Sequence, residues 1–435
     1  MAGNENRQEY SNITTIDFAH QINKEDVQSS SCDGDNMGIS SNDGIKSTLS
    51  KTQPRPHHRK SAHWQAINAV LKKDKCLSQR HFNIIKRIGS GCAGFIFLTQ
   101  LEESDLYFVL KVMNRAHLES INKSTSIENE IDVLQLLDHP FLPTLYYSFE
   151  MDMYTVLVMD YCPGGDLYEV RNQQPGGFFS EKDTRFYAAE VLIALEYLHM
   201  LGIMYRDLKP ENILIKEDGH IMLIDFDLAI QGHFNPTLAR FHSLPLQCPS
   251  IEDISRVFTC FNPGNMCGIK KKMKSSGHRK KKKLLSSLPE LQTEPTGVHS
   301  MKAVGTYEYM APEIAEGKGY GSAVDWWAFG VLLYDMLYGR TPFVGHDDIS
   351  TSANIRDKSL VFPKAQRVST AAKDLMKQLL VKDPAKRLGC KNGASEIKKH
   401  PFFNGIEWAL VLQSPPPIVP GPYKCEQDSE EDSHN

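Results

Sequence analysis

Paired cysteines are missing from this sequence. Its nine cysteines are scattered, with neither a Cys-x-x-Cys spacing nor the even ladder that a zinc site or a disulfide framework requires. We therefore expect reduced and mostly buried thiols, which are typical of an intracellular protein.

Long apolar segments are equally absent. No run reaches the length needed to cross a membrane, and the first residues, MAGNENRQEY, contain no apolar signal core. Ala2 stands where N-myristoylation needs glycine, and Cys425 lies too far from the end for prenylation. We expect a cytoplasmic chain, with the nucleus as the alternative.

The chain of 435 residues is long enough for two or three domains. Residues 1–60 are rich in Ser, Asn, Asp and Gly and poor in large apolar side chains, so we predict a disordered N-terminal extension. Within residues 61–80, Trp64, Ile67 and Val70 recur at helical spacing. This pattern predicts a short helix and a linker that dock on the following domain.

The stretch YRDLKPENILIKEDGHIMLIDFD begins at Tyr205 and places an acid, a lysine and an asparagine close together: Asp207, Lys209 and Asn212. A strand–turn–strand pattern follows, and its second strand delivers Asp225. Phosphoryl transfer needs a carboxylate that orients the attacking hydroxyl, a cation that neutralises the moving group, and an amide oxygen and a second carboxylate that hold Mg²⁺. We therefore predict that Asp207, Lys209 and Asn212 are catalytic. We also predict that Asn212 and Asp225 are metal ligands.

A glycine-rich segment lies earlier in the chain, between two apolar strands. Its GxGxxG pattern would let backbone amides approach phosphates without a Cβ clash. A strand on each side argues against a dinucleotide-binding fold, which needs a helix next. The predicted nucleotide-binding loop consists of Ile88, Gly89, Ser90, Gly91, Cys92, Ala93, Gly94, Phe95 and Ile96.

Together these features resemble a eukaryotic protein kinase over roughly residues 80–405. The Tyr-Arg-Asp opening, and Asp-Phe-Asp in place of Asp-Phe-Gly, are similar to the plant AGC-type Ser/Thr kinases, the group that includes PINOID. The resemblance implies an α+β, two-lobe fold. The β-rich N-lobe would span residues 81–159, the mainly helical C-lobe 160–405, and a C-terminal tail 406–435.

The resemblance also assigns roles. Lys111, one strand after the glycine-rich loop, matches the lysine that holds the α- and β-phosphates of ATP. The resemblance therefore implies that Lys111 is a catalytic residue. Glu130 on the next helix is its ion-pair partner, with Glu128 as the alternative. ATP and Mg²⁺ are the implied cofactors. The other implied ATP-site residues are the gatekeeper Met159, the hinge residues Asp160 and Cys162, and Val109, Asp166 and Leu214.

Two structural pairings are implied inside the larger lobe. Asp325 would bond the backbone of the catalytic loop, and Arg387 would pair with Glu313. Both pairings would be structural, and neither would take part in the reaction.

Residues 232–299 lie between Asp225 and Glu313, in a segment far longer than an ordinary connecting loop. This insertion carries the basic blocks KKKMK at 270–274 and RKKKK at 279–283. Three interpretations remain open: a disordered soluble loop, a surface for anionic membrane lipids, and a nuclear-import or nucleic-acid segment. No base-reading module accompanies the blocks, so we expect no nucleic acid as a partner. The resemblance favours peripheral binding at the plasma membrane.

The expected activity is transfer of the ATP γ-phosphoryl group to Ser or Thr of proteins, by a monomer. Asp166, Glu211 and Asp335 align with acidic positions that line the peptide groove of AGC kinases. Carboxylates there would pair with arginines upstream of the acceptor. The alternative function is a pseudokinase or a membrane-docked scaffold with little transfer activity.

The end of the activation segment departs from the pattern of the resembled group. Lys302 stands where that group carries a Ser or Thr whose phosphate pairs with the arginine of the catalytic loop, here Arg206. Ser300 could replace it, or the acids Glu290 and Glu294 could fold back onto Arg206. A Phe-x-x-Phe tail motif is missing too. We therefore predict independence from the usual activating kinase.

Overall fold

The computed structural model describes residues 61–90, 94–121, 124–232, 237–239, 290–292, 300 and 305–423. Several sequence predictions lie outside the described residues, namely the disordered extension 1–60, the basic blocks of the insertion, the loop residues Gly91, Cys92 and Ala93, the alternatives Lys302 and Glu294, and the tail from residue 424 onward.

A five-stranded antiparallel sheet forms the smaller lobe, with the spatial order β1-β2-β3-β5-β4. Apolar residues on its inner face are fully buried, among them Leu98 and Leu157. At Gly94 a Cβ would lie 1.9 Å from the Val112 carbonyl oxygen, so the strand can begin there only with glycine. The strands are Phe82–Ser90 (β1), Gly94–Leu101 (β2), Tyr107–Asn114 (β3), Leu145–Met151 (β4) and Tyr154–Asp160 (β5).

Three helices accompany this sheet. Helix α1 (Ala62–Asp74) begins at Ser61, whose hydroxyl accepts the Trp64 backbone N–H and so caps the first turn. Its apolar face buries Trp64 and Ile67 against the sheet. Helices α2 (Arg115–Ser120) and α3 (Ser124–Leu136) follow β3.

The larger lobe is mainly helical. It also contains two pairs of short antiparallel strands, β6 (Ile203–Met204) with β9 (Ile230–Gln231) and β7 (Ile213–Ile215) with β8 (Ile221–Leu223). Inside the predicted insertion, β10 (Thr237–Ala239) pairs with β11 (Glu290–Gln292). The helices are Leu167–Asn172 (α4), Glu181–Met200 (α5), Pro312–Ala315 (α6), Ala323–Tyr338 (α7), Asp348–Asp357 (α8), Thr370–Leu379 (α9) and Ala394–Lys398 (α10).

Helix α7 is the centre of the larger lobe. It is mostly apolar and buried on all sides, and Trp326, Trp327 and Phe329 are fully buried, as expected for a helix enclosed by others. Gly339 ends it in the left-handed conformation, with φ of +69°. The predicted two-lobe α+β architecture is confirmed. Within the part of the chain that is described, no helix is both long and apolar enough to span a membrane.

Candidate active site

The catalytic loop is held by a buried carboxylate from α7. The two oxygens of Asp325 accept the backbone N–H groups of Tyr205 and Arg206 at 2.9 and 2.8 Å, and the His199 ring lies 2.8 Å from the same carboxylate. Arg206 has a positive φ of 70°, an uncommon conformation that these bonds stabilise. The predicted role of Asp325 is confirmed.

Asp207 lies at the centre of this loop and is nearly buried. Its Oδ2 accepts hydrogen bonds from Lys209 Nζ at 2.7 Å and from Asn212 Nδ2 at 2.9 Å. The structure therefore brings together the three predicted catalytic residues of the loop. Both donors bind Oδ2, so Oδ1 accepts neither of these two hydrogen bonds.

Thr306 is a neighbour of Asp207 that sequence reasoning missed. Its hydroxyl lies 3.4 Å from Asp207 Oδ1. Gly305 makes this approach possible, because its φ is +100° and a Cβ there would lie 3.0 Å from the Arg206 carbonyl oxygen. The run Val-Gly-Thr was visible in the sequence, but nothing local connects it with a loop about a hundred residues earlier.

Lys111 on β3 contacts two carboxylates. Its Nζ lies 2.5 Å from Glu130 Oε1 and 3.1 Å from Asp225 Oδ1. Glu130 is buried on the inner face of α3, whereas the alternative Glu128 is exposed. The structure therefore gives the partner of Lys111 as Glu130.

The charges of this cluster are mutually stabilised. Burial opposes the charge of Lys111, but the Glu130 and Asp225 carboxylates outweigh it and raise the pKa of the ammonium. Burial also opposes ionisation of Asp225, yet the Lys111 ammonium lowers the pKa of that carboxyl. Burial raises the pKa of Glu130, with Lys111 acting against the shift. Because Lys111 stays protonated at 2.5 Å from Glu130, we take this pair as ionised at neutral pH.

The segment after Asp225 is fastened to both lobes. Asp225 itself has a positive φ of 64°. Phe226 is fully buried, with its ring 5.4 Å from that of Tyr205. On the other side, Ser126 of α3 donates to the Asp227 carbonyl at 3.2 Å. These contacts hold the Asp225 carboxylate beside Lys111.

The predicted adenine site lies between the lobes. Ile88 is exposed, Ile96, Met159 and Leu214 are half-buried, and Val109 is buried. In the β1–β2 ladder, Gly89 pairs with Ile96 and Ser90 with Phe95.

Three residues of the predicted adenine and ribose site have side chains that contact other groups of the protein. Cys162 is buried, with its Sγ 3.7 Å from Met222 Sδ, and burial raises the pKa of its thiol. Asp166 caps α4 by accepting the Glu169 N–H at 2.8 Å. The carboxylate of Asp160 bonds Thr144 and Tyr146. The hinge therefore presents its backbone rather than these side chains.

Comparison with known proteins decides the family. The model of the protein kinase domain matches residues 82–243 and 286–403. The chain belongs to the protein kinases. A protein kinase of Oryza sativa subsp. indica is 45% identical over 390 residues, which are 86% of this chain and 66% of that protein. Serine/threonine-protein kinase AGC1-7 of Arabidopsis thaliana is 45% identical, over 89% of this chain and 73% of its own length. Protein kinase PVPK-1 of Phaseolus vulgaris is 46% identical, over 91% and 68%.

These relatives confirm the predicted group, the plant AGC serine/threonine kinases. Their names give no support to the pseudokinase alternative. The chain spans about two thirds of the length of the rice kinase that it matches. A protein kinase domain implies ATP as a substrate and typically Mg²⁺.

The donor set of this kinase fits Mg²⁺. The Nδ2 of Asn212 donates to the backbone carbonyl and to the carboxylate of Asp207, both at 2.9 Å, so the amide oxygen is the group left to act as a ligand. Asp225 supplies a carboxylate whose pKa is lowered, and which is therefore ionised at neutral pH. Mg²⁺ prefers oxygen ligands and takes only one or two carboxylates beside water and substrate phosphates.

One predicted groove residue of this kinase is corrected by the structure. Asp335 is buried, pairs with Arg171 Nη1, and accepts a hydrogen bond from the Tyr309 hydroxyl at 2.7 Å. Its carboxylate is therefore already satisfied and cannot face a substrate arginine. Glu211 is exposed and Asp166 is half-buried, so these two remain accessible.

The contacts of Arg206 bear on which residue of the activation segment binds it, Ser300 or one of the acids Glu290 and Glu294. Its Nη1 lies 3.2 Å from Ser300 Oγ and 2.9 Å from the Tyr320 hydroxyl, and its Nε donates to the Leu228 carbonyl at 2.6 Å. Ser300 also exchanges backbone hydrogen bonds with Tyr320. The structure thus places Ser300 on Arg206, two residues before the position that Lys302 occupies.

Proposed function

We propose that this kinase transfers the γ-phosphoryl group of ATP to serine or threonine hydroxyls of other proteins. The observation that carries the proposal is the loop carboxylate of Asp207, held beside Lys209 and facing the cleft that contains Lys111 and Asp225. The acceptor oxygen forms a bond to the γ-phosphorus while the bond from that phosphorus to the β-phosphate oxygen breaks. The hydroxyl proton passes to Asp207, and ADP leaves.

The other residues of the cleft have supporting roles in this proposal. Lys209 neutralises charge on the moving phosphoryl group, and Lys111, fixed by Glu130, holds the α- and β-phosphates. Mg²⁺ on Asn212 and Asp225 would neutralise charge on the nucleotide phosphates. The test is transfer of labelled phosphate from ATP to matched peptides with serine, threonine, tyrosine or alanine as acceptor. Labelling of the tyrosine peptide alone would contradict the proposal.

We infer that the protein substrates carry basic residues upstream of the acceptor. Glu211 is exposed, and partial desolvation raises the pKa of its carboxyl, with the nearby carboxylates of Asp335 and Asp166 adding to the shift. A substrate arginine would relieve this repulsion and form a charge-assisted hydrogen bond.

Glu211→Gln should therefore lower kcat/KM about tenfold for a peptide with an upstream arginine, since losing such a bond costs about 1.5–3 kcal/mol when it is buried and less when it is exposed. A peptide with alanine in place of the arginine should be unaffected. Glu128→Gln, an exposed glutamate of the other lobe, is the control. A stronger preference for acidic residues upstream of the acceptor would overturn the inference.

Peripheral binding to the plasma membrane by a monomeric kinase is the localisation that we propose, with the nucleus as the alternative. The basic blocks of the insertion support it, because each Lys or Arg near an anionic surface contributes about 1 kcal/mol. We expect the purified kinase to bind liposomes that contain anionic lipid at low salt, and to dissociate as salt shortens the reach of these charges.

Replacing Lys270–Lys272 and Arg279–Lys283 by glutamine should abolish this binding. The matched control keeps the charge, with arginine in place of each of these lysines, and should bind as the wild type does. Equal binding of the wild type to neutral and anionic liposomes would reject the electrostatic explanation.

We also propose that the Ser300–Arg206 hydrogen bond orders the activation segment without a phosphate. Kinase made in bacteria should then have the same specific activity before and after treatment with an activating AGC kinase. Ser300→Ala should lower that activity about fivefold, because the 3.2 Å bond is long and a typical hydrogen bond contributes roughly 0.5–1.5 kcal/mol. Ser352→Ala on α8 is the control. Strong activation mapped to phosphorylated Ser300 or Thr306 would contradict this mechanism.

A further inference from the structure

Tyr146 occupies a β-bulge opposite the hinge. In the β4–β5 ladder Leu145 pairs with Met159 and Tyr147 with Val158, so Tyr146 is the extra residue. A bulge turns its extra residue out of the regular alternation of the strand and re-aims the side chain. The Tyr146 side chain is almost fully buried.

The hydroxyl of Tyr146 bonds the first residue of the hinge. It donates to Asp160 Oδ1 at 2.5 Å, while Asp160 Oδ2 accepts the Thr144 backbone N–H at 2.7 Å. Burial and the Asp160 carboxylate raise the pKa of the tyrosine well above its usual value, so it remains a donor at every physiological pH. Both oxygens of Asp160 are thus fixed by β4 and the residue before it, and this fixes the end of β5.

The ring of Tyr146 is held by helix α1. Trp64 of α1 packs edge-on against it, with the ring centroids 5.3 Å apart, and His63 stacks at 6.0 Å. Phe108 of β3, which pairs with Asp160 in the sheet, closes the third side at 5.3 Å. A continuous packed path therefore runs from α1 through one aromatic ring to the hinge.

We propose that Tyr146 is a positioning residue that transmits the docking of α1 to Asp160 and thereby sets the affinity of the kinase for adenine nucleotides. This inference rests on the proposed function, and it adds that ATP binds with its adenine ring against the backbone from Asp160 to Cys162. Asp160 ends β5 and pairs with Phe108 on the β3 side, but the β4–β5 ladder stops at Met159, so on that side Asp160 is held by its side-chain contacts. A hydrogen bond to the base tolerates little misalignment. The Tyr146–Asp160 bond fixes this side of Asp160 before the nucleotide arrives.

The effect should appear in nucleotide binding rather than in the chemical step. Adenine is remote from the phosphorus that reacts, so its contacts are equally strong in the ground state and the transition state, and their loss raises KM with little change in kcat. They also distinguish adenine from guanine. Loss of hinge alignment should therefore reduce the preference for ATP over GTP, which a general loss of stability would not do.

The experiment measures the Kd of ATP and of GTP by calorimetry, together with KM and kcat, on the full chain. Tyr146→Phe keeps the ring in its aromatic cage and removes only the hydroxyl, which also interacts with Thr144 and Ser61. We expect the Kd and KM for ATP to rise about tenfold, kcat to change less than twofold, and the ratio of GTP to ATP affinity to rise. Tyr147→Phe is the matched control, because that tyrosine lies towards Leu77 rather than Asp160.

Double variants test whether Trp64, Tyr146 and Asp160 act on ATP binding through one another. Asp160→Ala should weaken ATP binding as much as Tyr146→Phe does, and the double variant should be no weaker than Asp160→Ala alone. Trp64→Ala should weaken ATP binding less when Tyr146 is already phenylalanine. An unchanged Kd and GTP to ATP ratio in Tyr146→Phe would overturn the inference. Because binding is measured directly, this comparison stands whether or not the wild type transfers phosphate, and absent transfer with intact binding would instead refute the proposed function.

Discussion

Asp207→Asn is expected to lower phosphoryl transfer by about a thousandfold. The amide keeps the size of the side chain and can still accept from Lys209 and Asn212, which contact a single oxygen. It cannot accept the proton of the substrate hydroxyl, and general base catalysis contributes roughly 10²–10⁴-fold. No other carboxylate of the described catalytic loop replaces it, since Glu211 is exposed on the groove side. The measurement is the initial rate of peptide phosphorylation at saturating ATP.

Two controls separate lost chemistry from lost structure. Asp348→Asn changes an exposed acid in the first turn of α8 and should leave the rate unchanged. The Kd of ATP and the melting temperature of Asp207→Asn should match those of the wild type, because the Lys111 cluster is untouched. A variant with full activity would show that Asp207 is not the group that handles the proton.

The catalytic loop could be predicted because its chemistry is local. Asp207, Lys209 and Asn212 lie within six residues, and a short loop has few ways to arrange them. The choice between Glu128 and Glu130 was also within reach of the sequence. Residues two positions apart on a helix face widely different directions, so only one of these glutamates can share the inner face of α3 with its buried apolar residues.

The errors and omissions concern contacts between distant segments. Asp335 was assigned to the peptide groove by alignment, but Arg171 and Tyr309 approach it from two other elements and bury it. The role of Tyr146 depends on a bulge, and one extra residue in a strand leaves no mark on the apolar alternation when both faces are buried. Such features require the three-dimensional arrangement.

Arg387→Met is expected to destabilise the kinase by about 3–5 kcal/mol, the usual cost of leaving one charge of a buried ion pair without its partner. Arg387 is only 1% exposed. Its two terminal nitrogens bind the two oxygens of Glu313 at 2.7 and 2.9 Å, and it also donates to the carbonyls of Ala323 and Val381. One side chain therefore joins α6, the start of α7 and the turn after α9.

The loss should appear as a melting temperature lower by roughly 5–8 °C, because an unfolding entropy of about 2.1 cal/mol/K per residue makes 1 kcal/mol correspond to about 1.6 °C in a domain of roughly 300 residues. Arg356→Met, at an exposed arginine near the end of α8, is the control and should change the melting temperature by less than about 1 °C.

The double variant Glu313→Leu with Arg387→Met should recover most of the stability, because no buried charge then lacks a partner. At low temperature all three variants should keep wild-type kcat, since the ion pair lies away from the cleft. If the double variant were less stable than Arg387→Met alone, the unpaired Glu313 charge would not be the cause of the loss.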